Sequence, residues 1–430
     1  MKILNHILRW LVGLFMLFSG TVKAIDPVGT SIKMKEYFEV FTEYFEFLTP
    51  LWELLASVSL PFSIFMIALE IILGILLLLD VWRKTTMFTL FAMMLFFTFL
   101  TGFTLWTGKV TDCGCFGDFL KLEPYQTFNK DVALVLIIAL MWFLRSKWTQ
   151  LNKAEAIAFG IAGAISAVLG AFILNSWTGG FVTILIVMLI SALIYTFIHN
   201  RDLRPSLRTI AAAVLCIAAI AFTLRNVMNL PIVDFRAYKV GTDLVECTNT
   251  DGLDQGEVIV KFEVEKDGQT KTVASEEFGA VSKDGWKYKD RIDEVIREPE
   301  LPPCKDFIVV DDDGNEYQED VLTHAGYSMW VTSYDVTISS DEGFDKVNQL
   351  VASVKDRSVN KLGLTGTAIP TANTKTDGAY GFYNLDAVPI KTINRSNPGL
   401  LILKDQVVVA KYHYNHLPSP EELKATFGIE

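Results

Sequence analysis

Seven apolar runs dominate the first half of the chain, at roughly 5–24, 60–82, 85–107, 130–147, 154–176, 180–199 and 207–229. A helix needs about 20 apolar residues to cross a hydrocarbon core of ~30 Å, because each residue adds about 1.5 Å of rise. Short charged punctuation separates the runs, so the chain is expected to fold as an α-helical polytopic membrane bundle of about seven transmembrane helices. The mean hydropathy of +0.34 is too high for a soluble enzyme. Its unevenness is as informative, since the chain turns polar and acidic beyond Asn229-Leu230-Pro231. The first run has an alternative reading. Lys2, the apolar stretch and Val22-Lys23-Ala24 have the layout of a signal peptide with a small-x-Ala cleavage site. Arg9 inside the stretch and Lys23 inside the site favour a retained span.

Orientation follows from lysine and arginine in the short loops, which concentrate on the cytoplasmic side. Lys2 and Arg9, then Arg83 and Lys84, then Arg145, Lys147 and Lys153, then Arg201, Arg204 and Arg208 mark alternate loops. The loops between them are acidic or carry no basic excess. The N-terminus is therefore expected in the cytoplasm. An odd number of spans then puts the C-terminal region in the periplasm. The net charge of −11, with no basic cluster to relieve it, excludes a nucleic-acid partner. Membrane lipid is the expected surroundings.

Residues 34–56 repeat aromatics on one helical face and glutamates on the other. Two readings stand, an amphipathic helix lying at the membrane interface and a lid packed over the bundle. Within the spans ionisable residues are costly and therefore informative. Glu70 lies near the middle of the second run and Arg9 early in the first. They are expected either to pair and lock the bundle or to form a proton-handling or quinone-contacting site.

The loop before the fourth span reads Asp112-Cys113-Gly114-Cys115-Phe116-Gly117-Asp118. It holds two of the chain's five cysteines. Cys113 and Cys115 can close a tight disulfide, exchange with a partner thiol, or act as a loop staple. Asp112 and Asp118 should raise the thiol pKa values and slow thiolate attack. No metal site is expected, because two thiolates lack further soft ligands and no histidine stands nearby. Cys216, in an Ala/Ile/Leu run, reads as a small apolar residue.

The second half divides into a β-rich connector, 231–303, and an α/β region, 304–430. In the connector, 258–265 alternates, Asp267-Gly268 makes a hairpin turn and 270–274 returns. In the α/β region, strands at 307–310, 328–334, 362–365, 400–403 and 407–412 alternate with a helix at 342–354. That order argues a mixed sheet with helices on both faces. Cys247 and Cys304 are candidates for a disulfide between connector and α/β region in an oxidising compartment.

Two resemblances follow from these motifs. Asn397-Pro398-Gly399, opening a buried strand that is followed by a hairpin and a second strand, resembles the end of the thioredoxin fold. The resemblance implies a cis Pro398 beside a redox site. The C-x-x-C of that family should follow the strand ending near Tyr334, and 335–342 contain no cysteine. It therefore implies a redox-dead, thioredoxin-like periplasmic domain at 304–430.

Residues 1–150 are similar to the DoxX/MauE group of four-helix bacterial membrane proteins. The matching features are Arg9, Phe18-Ser19-Gly20-Thr21-Val22-Lys23 with Asp26-Pro27 beyond, Glu70-x-x-x-Gly74, and Cys113-Gly114-Cys115-Phe116-Gly117. This resemblance implies the bacterial inner membrane and periplasmic thiol or quinone chemistry, with a quinone as the candidate cofactor. A further three spans, 151–230, fall outside it. Two functions are carried forward. One is thiol–disulfide or quinone-linked redox work through Cys113 and Cys115, with a periplasmic protein thiol as partner. The other is a non-enzymatic, membrane-anchored binding or assembly module.

Overall fold

A computed structural model describes residues 2–110, 117–120, 122–144, 151–178, 181–200, 204–266, 268–297, 299–376 and 378–430. The chain divides into two compact units, Met1–Arg236 and Ala237–Glu430.

The regular elements described in the first unit are all helices: α1 (Lys2–Ile25), α2 (Pro27–Tyr44), α3 (Thr49–Ser57), α4 (Ser59–Leu79), α5 (Arg83–Thr107), α6 (Pro124–Phe143), α7 (Lys153–Thr178), α8 (Phe181–Asn200) and α9 (Pro205–Met228). Each of the seven apolar runs contains one of these helices. Among the described residues six of these helices are long and apolar enough to cross a membrane, and α8 carries a shorter apolar stretch, Leu185–His199. Helix ends follow local chemistry. Pro124 and Pro205 occupy first-turn positions, where a missing N–H costs nothing. The α5 end is closed by Gly108 in the left-handed region, φ +66°.

The antiparallel pair α1 and α4 forms the centre of the unit. Glycines set its spacing: a Cβ added at Gly20 would sit 2.6 Å from Ile71 Cγ1, and one at Gly74 would sit 3.0 Å from the Gly13 carbonyl oxygen. Small residues allow backbones this close, and in lipid, packing of this kind drives helix association. The core between α1, α4, α5 and α6 is filled by Met16, Leu73, Leu77, Leu90, Met94 and Ile138.

The aromatic stretch 34–56 packs one face against the bundle. Asp26 caps α2 by accepting from the Gly29 N–H at 2.9 Å, with Pro27 as its first residue. Met34, Tyr37, Phe38 and Phe41 recur on one face and are buried against Leu100 and Phe103 of α5. The Tyr37 hydroxyl and Thr104 Oγ1 share a 2.6 Å hydrogen bond. Trp52, on α3, packs on Phe41 with ring centroids 5.1 Å apart. Glu39 and Glu43 stay exposed on the other face.

In the second unit α10 (Leu244–Thr248) precedes an antiparallel sheet of order β2-β1-β3, formed by β1 (Glu257–Lys266), β2 (Gln269–Ala274) and, after α11 (Phe278–Lys283), β3 (Lys287–Arg297). Then come α12 (Gln318–Thr323), β4 (Tyr327–Ser333), α13 (Asp341–Ser353), β5 (Asn360–Thr365), α14 (Ile369–Asn373), β6 (Gly381–Asn384), α15 (Ala387–Ile393), β7 (Gly399–Lys404), β8 (Val407–His413) and α16 (Pro420–Phe427). The five-stranded sheet has the order β6-β5-β4-β7-β8. β4, β5 and β6 are parallel; β7 is antiparallel to β4 and β8 to β7.

Both faces of this mixed sheet are covered. Side chains alternate across a strand. Trp330, Leu362, Leu364, Leu401 and Leu403 therefore pack in one core with Ile390 and Ile393 of α15. Met329, Val331, Leu400 and Ile402 pack in the other with Phe344 and Val347 of α13 and Leu423 of α16. Two expectations change. The 307–310 segment makes only isolated bridges at Val310, to Glu316 and Asn384, so it is no strand of this sheet. β6, too short to stand out in the sequence, supplies the edge instead. Cys247 and Cys304 are bridged, with Cα atoms 5.2 Å apart, and the Asn397–Pro398 peptide is cis.

Candidate functional site

Glu70 does not meet Arg9. The two lie at different depths along the α1–α4 pair, each with a different partner. Lys23 Nζ donates to Glu70 Oε2 at 2.7 Å, and both side chains are almost wholly buried. Arg9 Nη2 lies 3.2 Å from Asp80 Oδ1 and donates to the Leu77 carbonyl at 3.0 Å. The reason is helical arithmetic. Lys23 follows Arg9 by fourteen residues, about 21 Å along the axis, and an antiparallel neighbour puts Glu70 beside Lys23 and Asp80 beside Arg9.

Lys23 is held from a second direction. Its ammonium stands over the Phe97 ring, 4.6 Å from the centroid. The ion pair borders a cavity of about 30 Å³ between α1, α2, α4 and α5. Thr30, Lys33 and Thr101 add polar lining, and Met34, Met66, Ile67, Phe97 and Leu100 form the apolar walls. Thr101 connects the cavity to a second buried carboxylate: its hydroxyl donates to Asp131 Oδ2 at 3.2 Å, and Lys130 pairs with Asp131 at 2.5 Å. Ion pairs surrounded by hydrocarbon need this degree of satisfaction. The space suits water and not a quinone ring. The expected quinone therefore does not fit here, and no step is derived through it.

Cys113 and Cys115, with Asp112, lie outside the described residues. Their described flanks gather at the same end of the bundle as the cavity. On one side, Val110 packs into the aromatic cluster under α2, and Thr104 Oγ1 approaches the Val110 carbonyl at 3.5 Å. On the other, the turn Gly117–Phe119 sits on the end of α1. A Cβ added at Gly117 would lie 4.0 Å from Val22 Cγ1, and the Phe119 and Phe18 rings are 5.7 Å apart. Val22 adjoins Lys23.

In the second unit Pro398 stands against the start of α13. The Ser340 N–H donates to the Asn397 carbonyl at 3.2 Å, and a Cβ added at Gly343 would sit 2.9 Å from Pro398 Cδ. Ser340 caps α13 by accepting from the Gly343 N–H at 3.0 Å. The Asn397 side chain donates to the Asp335 carbonyl at 2.8 Å, and Ser333 Oγ donates to Asn397 Oδ1 at 2.6 Å. This corner is a closed hydrogen-bonded junction with no sulfur in it. The one disulfide described in this unit, Cys247–Cys304, is buried in the other core of the sheet. Among the described residues no cluster of three or more histidine, cysteine or carboxylate groups could hold a metal.

Comparison with known proteins matches the first unit. Residues 1–144 fit the family model described as methylamine utilisation protein MauE. Over 182 residues the chain is 24% identical to Protein TlpB of Flavobacterium psychrophilum, a stretch covering 40% of this chain and 46% of that protein. The chain thus spans under half the length of the curated relative it matches. Residues 1–144 are a MauE family membrane segment, continued by further helices and a carboxy-terminal α/β region.

Proposed function

We propose that the protein carries out thiol–disulfide exchange at Cys113 and Cys115 on the periplasmic face of a bacterial inner membrane, with a protein dithiol as partner. The observation that carries this reading is the anchoring of both flanks of the Cys-Gly-Cys loop beside the Lys23–Glu70 pair. A partner thiolate attacks one sulfur of the loop disulfide, which breaks as a mixed disulfide forms. The partner's second thiol displaces the loop cysteine. The partner ends as a disulfide and the loop as two thiols, so two electrons and two protons have moved. The reverse exchange uses the same atoms. Three features support the periplasmic address. Basic residues alternate from loop to loop, the six spanning-length helices together with the shorter apolar α8 would give an odd number of crossings, and a buried disulfide in the second unit suits an oxidising compartment.

A second reading rests on the corner at Pro398. The parallel β4–β5 pair, the antiparallel β7–β8 hairpin and the cis proline at the start of β7 support a thioredoxin-like domain. Ser340 caps α13 and Gly343 stands in its first turn, at the start of the helix where that family carries its cysteines. Such a domain presents a partner surface and performs no exchange, which suits an assembly module.

The test is alkylation of intact membranes before and after dithiothreitol, followed by mass analysis of the 111–118 peptide. Exchange at the loop predicts a two-label shift on mild reduction, and a Cys115→Ser variant that traps a partner as a mixed disulfide. Cysteines that stay locked, together with a Cys113→Ser/Cys115→Ser variant of unchanged cellular role, would leave only the assembly reading.

A further inference from the structure

Segment 231–236, which follows α9, lies against the end of α1 beside the Gly117–Phe119 turn. The Phe235 and Phe119 rings meet edge to face with centroids 5.1 Å apart. Arg236 is 4% exposed. Its Nε and Nη2 donate to Asp234 Oδ1 and Oδ2 at 2.6 and 2.9 Å, a two-bonded fork. The planar guanidinium leaves Nη1 turned away from that fork. Nη1 is buried and has no acceptor in the protein. A buried charged donor without an acceptor is costly, so the position calls for one.

A cavity of about 10 Å³ supplies the space. Val22, Ile25, Asp26, Gly117, Val233 and Arg236 line it, all within the first unit. That volume is about one water-sized sphere, and a buried water needs at least two polar partners. Arg236 offers the donor, and the end of α1 offers the acceptors. The last four carbonyls of a helix have no intrahelical partner. Asn226 Nδ2 satisfies that of Ala24 at 2.8 Å, and Val22 and Ile25 of the same turn border the cavity. The Asp26 carboxylate accepts from the Gly29 N–H at 2.9 Å, and a carboxylate has sites for about four such bonds. A helix C-terminus and a carboxylate both repel an anion. A neutral molecule that accepts on one side and donates on the other fits all of these groups.

We infer that the cavity holds one bound water, accepting from Arg236 Nη1 and donating to the end of α1, and that this water latches segment 231–236 onto the bundle. The latch bears on the loop beside it. Gly117, two residues after Cys115, forms part of the cavity wall, and Phe119 takes the Phe235 ring. Arg236 and Phe235 are therefore positioning residues for the turn that anchors one flank of the Cys-Gly-Cys loop. The latch holds or fails whether or not Cys113 and Cys115 exchange, so each can be refuted alone.

Two measurements on the full chain in detergent test it. An electron cryomicroscopy map fine enough to show waters should place density in the cavity, within hydrogen-bonding distance of Arg236 Nη1 and of an acceptor at the end of α1. Arg236→Met should lose that density. Hydrogen exchange read by mass spectrometry should run about tenfold faster at 117–120 in Arg236→Met, as expected for one lost charge-assisted bond. Phe235→Ala should speed the same segment several-fold. Phe235 is 39% exposed and its removal leaves no buried charge, so this variant carries the test should Arg236→Met not fold. Phe88→Ala, exposed on α5, should leave exchange at 117–120 unchanged. A dry cavity, or Arg236 Nη1 bonded directly to a protein acceptor, would overturn the bound water. Unchanged exchange at 117–120 in the variants that fold would overturn the latch.

Discussion

Replacing Lys23 by methionine keeps most of the side chain's apolar length and removes its charge. It leaves Glu70, 1% exposed in the middle of α4, without its 2.7 Å partner. The attraction lost is large: at an effective dielectric of 20, unit charges at this separation interact by about 6 kcal/mol. Desolvation of both ions offsets much of it, and truncating one member of a buried pair typically costs about 3–5 kcal/mol. Lys23→Met should therefore lower the unfolding free energy by about that amount. Glu70→Gln should cost less, because Lys23 stands near the end of α1 and can extend its ammonium toward water. The double variant Lys23→Met/Glu70→Leu should return to within about 1 kcal/mol of the natural protein, since no buried charge remains unpaired. The assay is equilibrium unfolding of the full chain in mixed micelles by detergent titration, read as a double-mutant cycle. If the double variant is no more stable than Lys23→Met, the pair is not coupled and the account of this site fails.

Other consequences are as direct. Cys247→Ser should destabilise the second unit by about 4 kcal/mol, the entropy of a loop closed across 57 residues, and limited proteolysis under denaturant would report it. Gly20→Val should force α1 from α4 at a cost of about 1–3 kcal/mol, whereas Gly160→Ala, which meets no atom within 4 Å, should not lower the melting temperature. Burial lowers the pKa of His413 to about 4, with a smaller contribution from His416. Its unfolded value is near 6.5. The unfolded chain therefore takes up the proton first, and stability should fall as pH drops from about 6.5 to 4 and change no further from this group below that. A pH series of melting temperatures should show a shallower slope in His413→Gln. Equal slopes would assign the acid sensitivity elsewhere.

Much of the architecture was legible in the chain because it rests on local pattern. Runs of twenty apolar residues can only be helices where no water reaches the backbone, so α1, α4 to α7 and α9 follow from composition and length. The short apolar runs at 400–403 and 407–412 likewise mark β7 and β8, and the proline at 398 marks their start. What local pattern could not supply was pairing across helices. Arg9 and Glu70 were the conspicuous charges, and only the antiparallel offset of α1 and α4, set by the close approach of Gly20 and Gly74, decides that each finds another partner. Lys23, Asp80 and Arg208 carry no sequence signature, because each sits near a helix end where charge is ordinary, and Asp131 stands at the polar start of its apolar run. Their burial is a property of the assembled bundle. So is the packing of the aromatic stretch: its amphipathic repeat fits a membrane surface as well as a lid, and only the folded bundle brings Leu100 and Phe103 against its rings. The sequence by itself determined a membrane bundle followed by a mixed α/β region, because hydrophobic periodicity follows from nearest neighbours along the chain. The tertiary structure alone decided which charges are buried and with whom, because that depends on depth and register between helices distant in sequence.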